Sequence, residues 1–261
     1  MYRALSIAAS GMRANQLQID VTANNLANVS TAGFRRSRAD FADLLYQNLR
    51  RPGAPNADGG QAPAGMQVGS GVRPVATVRM LSGGELLQTG NELDMAIEGN
   101  GYFAVMRPNG ELAFTRAGNF QIDREGQIVT PDGYPLEPRL TIPPDAMSVT
   151  ISEDGTVSVI QAGDTEPTEI GRLELTIFPN QAGLEAIGNN LLRQTAASGE
   201  PMEGPPGEEG RGTLRQGFLE TSNVEVVTEM INLITNQRAY EVNSKVVQAS
   251  DDMLRQAANL R

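Results

Sequence analysis

Apolar residues recur every seven positions at both ends of this chain and as short alternating runs between them. The first ladder is Leu5, Met12, Ile19 and Leu26, widened by Ala8, Ala9 and Ala23, while Arg13, Gln16, Gln18 and Asp20 fall off it. That period predicts a helix of about 25 residues, roughly 37 Å long at 1.5 Å per residue. It runs into Asn24-Asn25-Leu26-Ala27-Asn28, then Ser30, Thr31 and Gly33. Asn and Gly tolerate the left-handed conformation that closes a helix, and the hydroxyls favour a turn. A second ladder, Val226, Leu233, Tyr240, Val247 and Leu254, follows Ser222-Asn223-Val224-Glu225, which fits a capping box. Met230, Ile231, Ile234, Val246 and Met253 thicken that face, whereas the interleaved Gln237, Ser244 and Asp251 are polar. No Gly or Pro interrupts Ser222 to Arg261, so one helix of nearly 40 residues is expected.

The period changes to two in the middle. Tyr102–Met106 leads through Pro108-Asn109-Gly110 to Leu112-Ala113-Phe114, and Phe120–Asp123 leads through Glu125-Gly126 to Ile128-Val129. Pro131-Asp132-Gly133 turns again, Val149–Ile151 and Val157–Ile160 flank Asp154-Gly155, and Leu173–Ile177 is a further strand. Such runs predict hairpins in a small antiparallel sandwich or barrel. Two segments resist assignment. Arg51 to Pro74 holds four Pro and six Gly, and Gly199 to Gly212 holds five Gly, three Pro and four Glu, so both are expected to be loops or linkers.

The fold class expected is therefore α+β, with long N- and C-terminal helices paired as a coiled-coil-like core and a central, mostly antiparallel β-domain. Both ladders also fit the core face of a single globular domain. The middle has core-forming strands of its own, however, and two long helices paired only with each other leave apolar side faces that favour self-association. The boundaries expected are 1–32 with 222–261 for the helical part, 33–80 with 212–221 for an extended connecting region, and 81–211 for an outer β-domain.

Charge follows the same division. The net −10 divides into +4 over residues 1–51, +1 over 52–80, −14 over 81–212 and −1 over 213–261. An acidic middle between near-neutral ends suggests that ends and middle meet different surroundings; a solvated acidic face explains the middle alone. No basic stripe is present to offset phosphate, so nucleic acid is not expected as a partner. No run of 18 apolar residues occurs, so no membrane insertion is expected. Ser6, Ser10, Gly11 and Arg13 break the apolar start, which therefore does not read as a cleaved signal peptide.

The chain has no Cys, His or Trp and one lysine, Lys245. Thiol nucleophiles, Ser-His-Asp triads, and Cys- or His-ligated metals are excluded, and no catalytic, cofactor-binding or metal residue is expected. The remaining candidates all have plain structural explanations. Gly99-Asn100-Gly101 opens a strand and reads as a tight turn; Glu153-Asp154 and Glu208-Glu209 lie in a turn and a Gly/Pro-rich loop. Asp123, Glu125 and Asp132 do not match the twelve-residue calcium loop, and Asn28-Val29-Ser30 matches a glycosylation acceptor better explained by capping. Arg35-Arg36-Ser37-Arg38, the one basic cluster, reads as a charged turn or as a contact to a partner's acidic surface.

Several motifs carry a resemblance. Ser6-Ile7-Ala8-Ala9-Ser10-Gly11-Met12 and Ala23-Asn24-Asn25-Leu26-Ala27-Asn28-Val29-Ser30-Thr31-Ala32-Gly33-Phe34 closely resemble the N-terminal signature of bacterial flagellar rod and hook proteins. Leu93–Phe103 and Thr115-Arg116-Ala117-Gly118-Asn119-Phe120 look like that family's β-domain, and Glu220–Val224 with Gln237-Arg238-Ala239-Tyr240-Glu241 resemble its C-terminal helix. The match runs in order over essentially the whole chain. Its length and the segment around Tyr46 to Pro74 resemble the distal-rod branch, with the proximal-rod branch as the alternative.

The resemblance implies a structural, non-enzymatic subunit that polymerises into a tubular drive shaft. Its partners would be further copies of itself, proximal rod and hook proteins at the two ends, the surrounding P and L rings, and the flagellar type III export apparatus. It would reside in the basal-body rod across the periplasm, exported without cleavage. Leu5, Met12, Ile19, Leu26, Val226, Leu233, Tyr240, Val247 and Leu254 are then the expected assembly residues, and Asn24, Asn25, Asn28, Gly33 and Phe34 the motif and turn residues. A different class, a secreted carbohydrate-active enzyme or an adhesin built on the β-domain, stands beside it.

Overall fold

The computed structural model describes residues 2–52, 63–162 and 166–259. Two helices frame the chain, α1 at Tyr2–Ala27 and α2 at Val226–Asn259, with antiparallel strand pairs between them, consistent with the α+β class. The chain divides into two compact units, one of residues 1–27, 37–78 and 225–261, the other of 28–36 and 79–224.

The first unit holds α1 packed against α2, together with strands β1 (Ser37–Asp43), β2 (Gln47–Arg50), β3 (Met66–Val68) and β4 (Val72–Arg79). β1 pairs with β4, and β2 pairs with β3 in the register Gln47↔Val68. The Gly/Pro-rich segment expected to be loop thus contains the short strand β3 and the start of β4; residues 53–62 lie outside the described residues.

α2 begins three residues later than a cap at Ser222 would place it, and Ser222 Oγ, though buried, finds no hydrogen-bond partner among the described residues. Asn223 explains the delay. Its Oδ1 accepts from the Arg36 amide at 2.7 Å, and its Nδ2 donates to the carbonyls of Ser82 at 2.9 Å and Met80 at 3.3 Å. These bonds commit the backbone beside it to other chain segments before helix can form. Glu225 then serves the helix start, accepting from Thr228 Oγ1 at 2.9 Å.

The second unit is a β-structure with one main core. A five-stranded sheet runs in the order Leu136–Glu137, Phe103–Met106, Leu112–Thr115, Leu191–Arg193, Glu185–Gly188. A three-stranded sheet runs Ala146–Ile151, Thr156–Gln161, Thr168–Arg172. Phe103 and Val105 from the first meet Val149, Ile151, Val157 and Val159 from the second in a single cluster. Tyr102 and Ala104 point the other way, into a second cluster with Phe114 and Phe178. Strand side chains alternate between faces, so this run is buried on both sides. Phe103 and Phe120 meet edge to face, 5.1 Å between centroids.

The expected hairpins form at Phe103↔Thr115, Ile128↔Ile122 and Val149↔Val159, and Gly110, Gly126 and Gly155 take the positive φ their turns require. Gly199 to Gly212 is not a plain linker. Met202–Gly204 pairs with Leu175–Ile177, and the buried Arg211 guanidinium donates to the Glu203 carbonyl at 3.0 Å. A β-carbon on Gly204 would stand 2.7 Å from Arg211 Cζ, so the glycine makes room for that clamp.

Candidate assembly surface and its anchors

Two contacts set the direction of the helix pair. Asn25 of α1 reaches Glu229 of α2 at 3.5 Å, and a β-carbon on Gly11 would lie 3.0 Å from Asn243 Nδ2. Fourteen residues forward along α1 correspond to fourteen residues backward along α2, so the helices are antiparallel.

The predicted ladders lie in this unit with partial burial. Leu5, Met12, Ile19 and Leu26 are half-buried, as are Val226, Leu233, Val247 and Leu254, and Tyr240 is 39% exposed. Beside them on α2 lie Glu229 and Ser250, both buried, and the half-buried Asn236 and Asn243. Four polar positions at seven-residue spacing thus share the seam with the apolar ladder.

The residues expected to thicken the ladder face do not sit beneath α1. Met230, Ile231, Ile234, Val246 and Met253 are all exposed, and the last four share a face with the exposed Val227, at 65%, and Val242, at 59%. At 100° per residue these six fall within an arc of about 120°, roughly opposite the polar positions of the seam. A broad apolar stripe carries no marker for which half a partner helix covers, so two faces of α2 look like one along the chain. α2 therefore carries an aliphatic face with no cover within the described residues. An uncovered face of this kind marks an interaction surface.

Short polar contacts tie the helices to the strands. Ser10 Oγ accepts from the Val72 amide at 3.2 Å, and Gly71, at φ 117°, passes so close that a β-carbon would strike Ser10 Oγ. Asn25 brackets Ser37, accepting from its amide at 2.8 Å and donating to its carbonyl at 2.9 Å. Asn24 is exposed. Asn28 holds the turn after α1, its carbonyl accepting from the Thr31 amide at 3.1 Å and its Oδ1 from Thr31 Oγ1 at 3.2 Å. Gly33, at φ 67°, donates to the Glu220 carbonyl at 2.8 Å, and a β-carbon there would lie 2.7 Å from the Ala117 nitrogen. Phe34 is half-buried, and its carbonyl accepts from the Asn223 amide.

The hub in the second unit has no local signature along the chain. Arg116 is buried, with Nε 2.6 Å from Glu220 Oε2. Its other nitrogens donate to the carbonyls of Gly101 and Gly99, each at 2.6 Å, and Ile97 at 2.9 Å. The Gly99-Asn100-Gly101 turn is thus a collar around a guanidinium. Glu220 Oε1 pairs with Arg35 at 2.7 Å and accepts from the Gly84 amide at 2.9 Å. Burial pushes the Arg35 guanidinium below its ordinary value, opposed by the Glu220 charge beside it. Of the basic cluster, Arg35 is thus spent internally, and the exposed Arg38 pairs with Asp40 at 2.9 Å.

The acids considered for chemistry are structural as well. Thr156 donates to Asp154 through Oγ1 at 2.9 Å and through its amide at 3.3 Å, and Asp123 Oδ1 accepts the Glu125 and Gln127 amides. Glu209 pairs with Arg211 at 3.0 Å. A groove of about 700 Å³ is lined by Leu93, Ile122, Pro143 and Met147, and its Glu92 is bonded to the Val149 amide. Among the described residues no group of acids is arranged to hold a metal, and no helix is long and apolar enough to cross a membrane.

Three family models match the chain in order. Residues 5–35 match the flagella basal body rod protein model, 96–159 the flagellar hook protein FlgE/F/G D1 domain, and 215–260 the flagellar basal body rod FlgEFG protein C-terminal model. These windows hold Gly11, Asn25 and Gly33, then Arg116, then Glu220, Glu229 and Asn243. Flagellar basal-body rod protein FlgG of Buchnera aphidicola subsp. Schizaphis graminum is 48% identical over 260 residues, covering 100% of each chain. The protein of that name from Caulobacter vibrioides is 48% identical over 260 residues, 99% of each, and that from Bacillus subtilis 39% over 268 residues, 100% of each. Agreement from end to end at these identities makes the chain a member of the flagellar basal-body rod protein FlgG family.

Proposed function

We propose that the chain is the subunit of the distal rod and self-assembles into a helical tube that transmits torque from motor to hook. It is a structural protein of the flagellar basal body and not an enzyme, as its family shows. The observation that carries the finer reading is the aliphatic face of α2, exposed along Val227, Ile231, Ile234, Val242, Val246 and Met253. Covering such a face with the same helices of neighbouring copies is favourable by roughly 25 cal/mol per Å² of apolar surface removed from water. A contact between unlike surfaces that does not close on itself builds a filament.

In this assembly residues 1–32 with 222–261 form the inner helical layer, 33–80 with 212–221 the connecting region, and 81–211 the outward β-domain. The ladder Leu5, Met12, Ile19, Leu26, Val226, Leu233, Tyr240, Val247 and Leu254 packs the helices, and the exposed face of α2 extends the contact to the next subunit. The acidic outer part keeps the shaft soluble and discourages adhesion to the P and L rings around it. Proximal rod and hook proteins adjoin the two ends, and the flagellar type III apparatus delivers the subunit to its place in the rod across the periplasm. Exposed Leu45, Tyr46, Leu49 and Met66, within and beside the β2–β3 ribbon, place further apolar surface in the segment that resembles the distal-rod branch.

Electron microscopy of the purified full-length chain at rising concentration tests this. Tubes appearing above a threshold concentration are expected. A chain that stays monomeric throughout contradicts self-assembly.

A further inference from the structure

A ladder with a strict seven-residue repeat has a weakness that its own residues do not cure. Sliding α1 by one heptad along α2 sets Leu5, Met12, Ile19 and Leu26 against equivalent positions of the partner ladder. Apolar burial therefore discriminates poorly between registers that differ by about 10 Å along the axis. A tube built from this pair needs one register in every copy.

The geometry points to Gly11 and Asn243, assisted by Asn25 and Glu229, as the lock that selects it. Gly11 is the only glycine in α1, and Asn243 Nδ2 sits where a β-carbon at that position would come within 3.0 Å. The next seam positions one heptad away in α1 are Ala4 and Gln18, and both carry the β-carbon that Gly11 lacks. A slipped Asn243 therefore loses its notch. In the same movement Glu229, buried beside Asn25 at 3.5 Å, meets Gln18 or a position beyond the end of α1. Slipping in either direction costs a buried polar side chain its matched surroundings. Single polar positions in helix seams select register in this way at some cost in stability. Ser10, about 100° round the same turn, is bonded to the Val72 amide, which holds α1 against rotation while Gly11 faces Asn243.

The chain contains no cysteine, so two can be introduced for spin labelling without background. Arg13→Cys on α1 and Val227→Cys on α2 are both exposed sites, about 20 Å apart along the axis in the inferred register. The labelled full-length chain, kept dilute, should give one narrow distance. Adding Gly11→Asn should abolish or split that distance, because two amides cannot share one notch. The exchange Gly11→Asn with Asn243→Gly should restore it, because the notch is rebuilt from the other side. A general loss of stability predicts the reverse order, with the doubly substituted chain worse than the single. The lock is refuted if Gly11→Asn keeps the parental distance, if the exchange recovers nothing, or if the parental chain has no single distance. Since the measurement is made on separate chains, its failure is distinguishable from a failure to form tubes.

Discussion

Arg116 donates to Glu220 at 2.6 Å across 104 residues of sequence, and both side chains are almost wholly buried. One carboxylate also serves Arg35 and the Gly84 amide, so chain segments that leave and re-enter the β-structure are fastened at a single group. The turn carbonyls around Arg116 satisfy the rest of its guanidinium, which is what makes a buried charge tolerable.

Replacing Arg116 by Met leaves the buried Glu220 with Arg35 as its one remaining counter-charge, and Glu220→Gln leaves Arg116 and Arg35 buried with none. A loss of about 3–5 kcal/mol is expected for either, read as a lower denaturant midpoint of the β-region signal. An unchanged midpoint would show that the hub contributes no stability.

Gly33 is the second sensitive position. Its φ of 67° is strained for any side chain, and the backbone atoms of Arg116 and Ala117 lie within 2.9 Å of a built β-carbon. Gly33→Ala should cost about 1–3 kcal/mol from the dihedral, with the clash in addition. Thermal melting of the full-length protein reads this directly, and parental stability would rule out the clash.

The free edge of the three-stranded sheet is covered by side chains. Gln216 accepts from the Ile151 amide at 3.0 Å and donates to the Val149 carbonyl at 2.7 Å, much as a neighbouring strand would. Open edges recruit other strands. Gln216→Ala should therefore lower stability by about 1–3 kcal/mol and raise β-rich aggregation on mild heating. Light scattering that matches the parent would count against edge protection.

Charged residues on the aliphatic face separate assembly from folding. Ile231→Glu with Ile234→Glu alters exposed positions, so the melting temperature should stay close to the parent's. Sedimentation should show loss of polymers, and cells carrying the variant should fail to swim. Polymers of normal length would move the subunit contact elsewhere.

Asp154 supplies a pH test. Hydrogen bonds from Thr156, side chain first and then amide, hold its carboxyl below the ordinary range, with Arg172 adding a smaller attraction. A pKa lower in the folded chain than the unfolded value of about 3.9 adds stability that is complete above that value. The contribution is lost as pH falls through the folded pKa. Asp154→Asn should flatten the acid side of the stability profile between about pH 5 and pH 2. Superimposable profiles would show that these bonds do not stabilise the turn.

The two helices and the main hairpins were readable because each rests on local rules: a seven-residue period, alternation by two, and glycines at turn positions. Asn28 and Gly33 do lie in the turn after α1, where conformational chemistry puts them, whereas Asn25 lies within α1 and bonds to Ser37. The late start of α2 was not readable, because Asn223 bonds to Arg36, Met80 and Ser82, which are remote in sequence. Arg211 likewise turns a linker-like composition into an ordered loop through contacts that composition does not encode.

The amino-acid pattern by itself determined that the chain ends in two amphipathic helices around an acidic β-structure, and its missing Cys and His removed most catalytic chemistry. Only the tertiary structure decided which half of the α2 stripe meets α1 and which half stays exposed. It alone paired Gly11 with Asn243 and enclosed Arg116 with Glu220. The physical reason is range: helix and hairpin signals act over a few residues, whereas the cover on a face and the partner of a buried charge are supplied by segments distant along the chain.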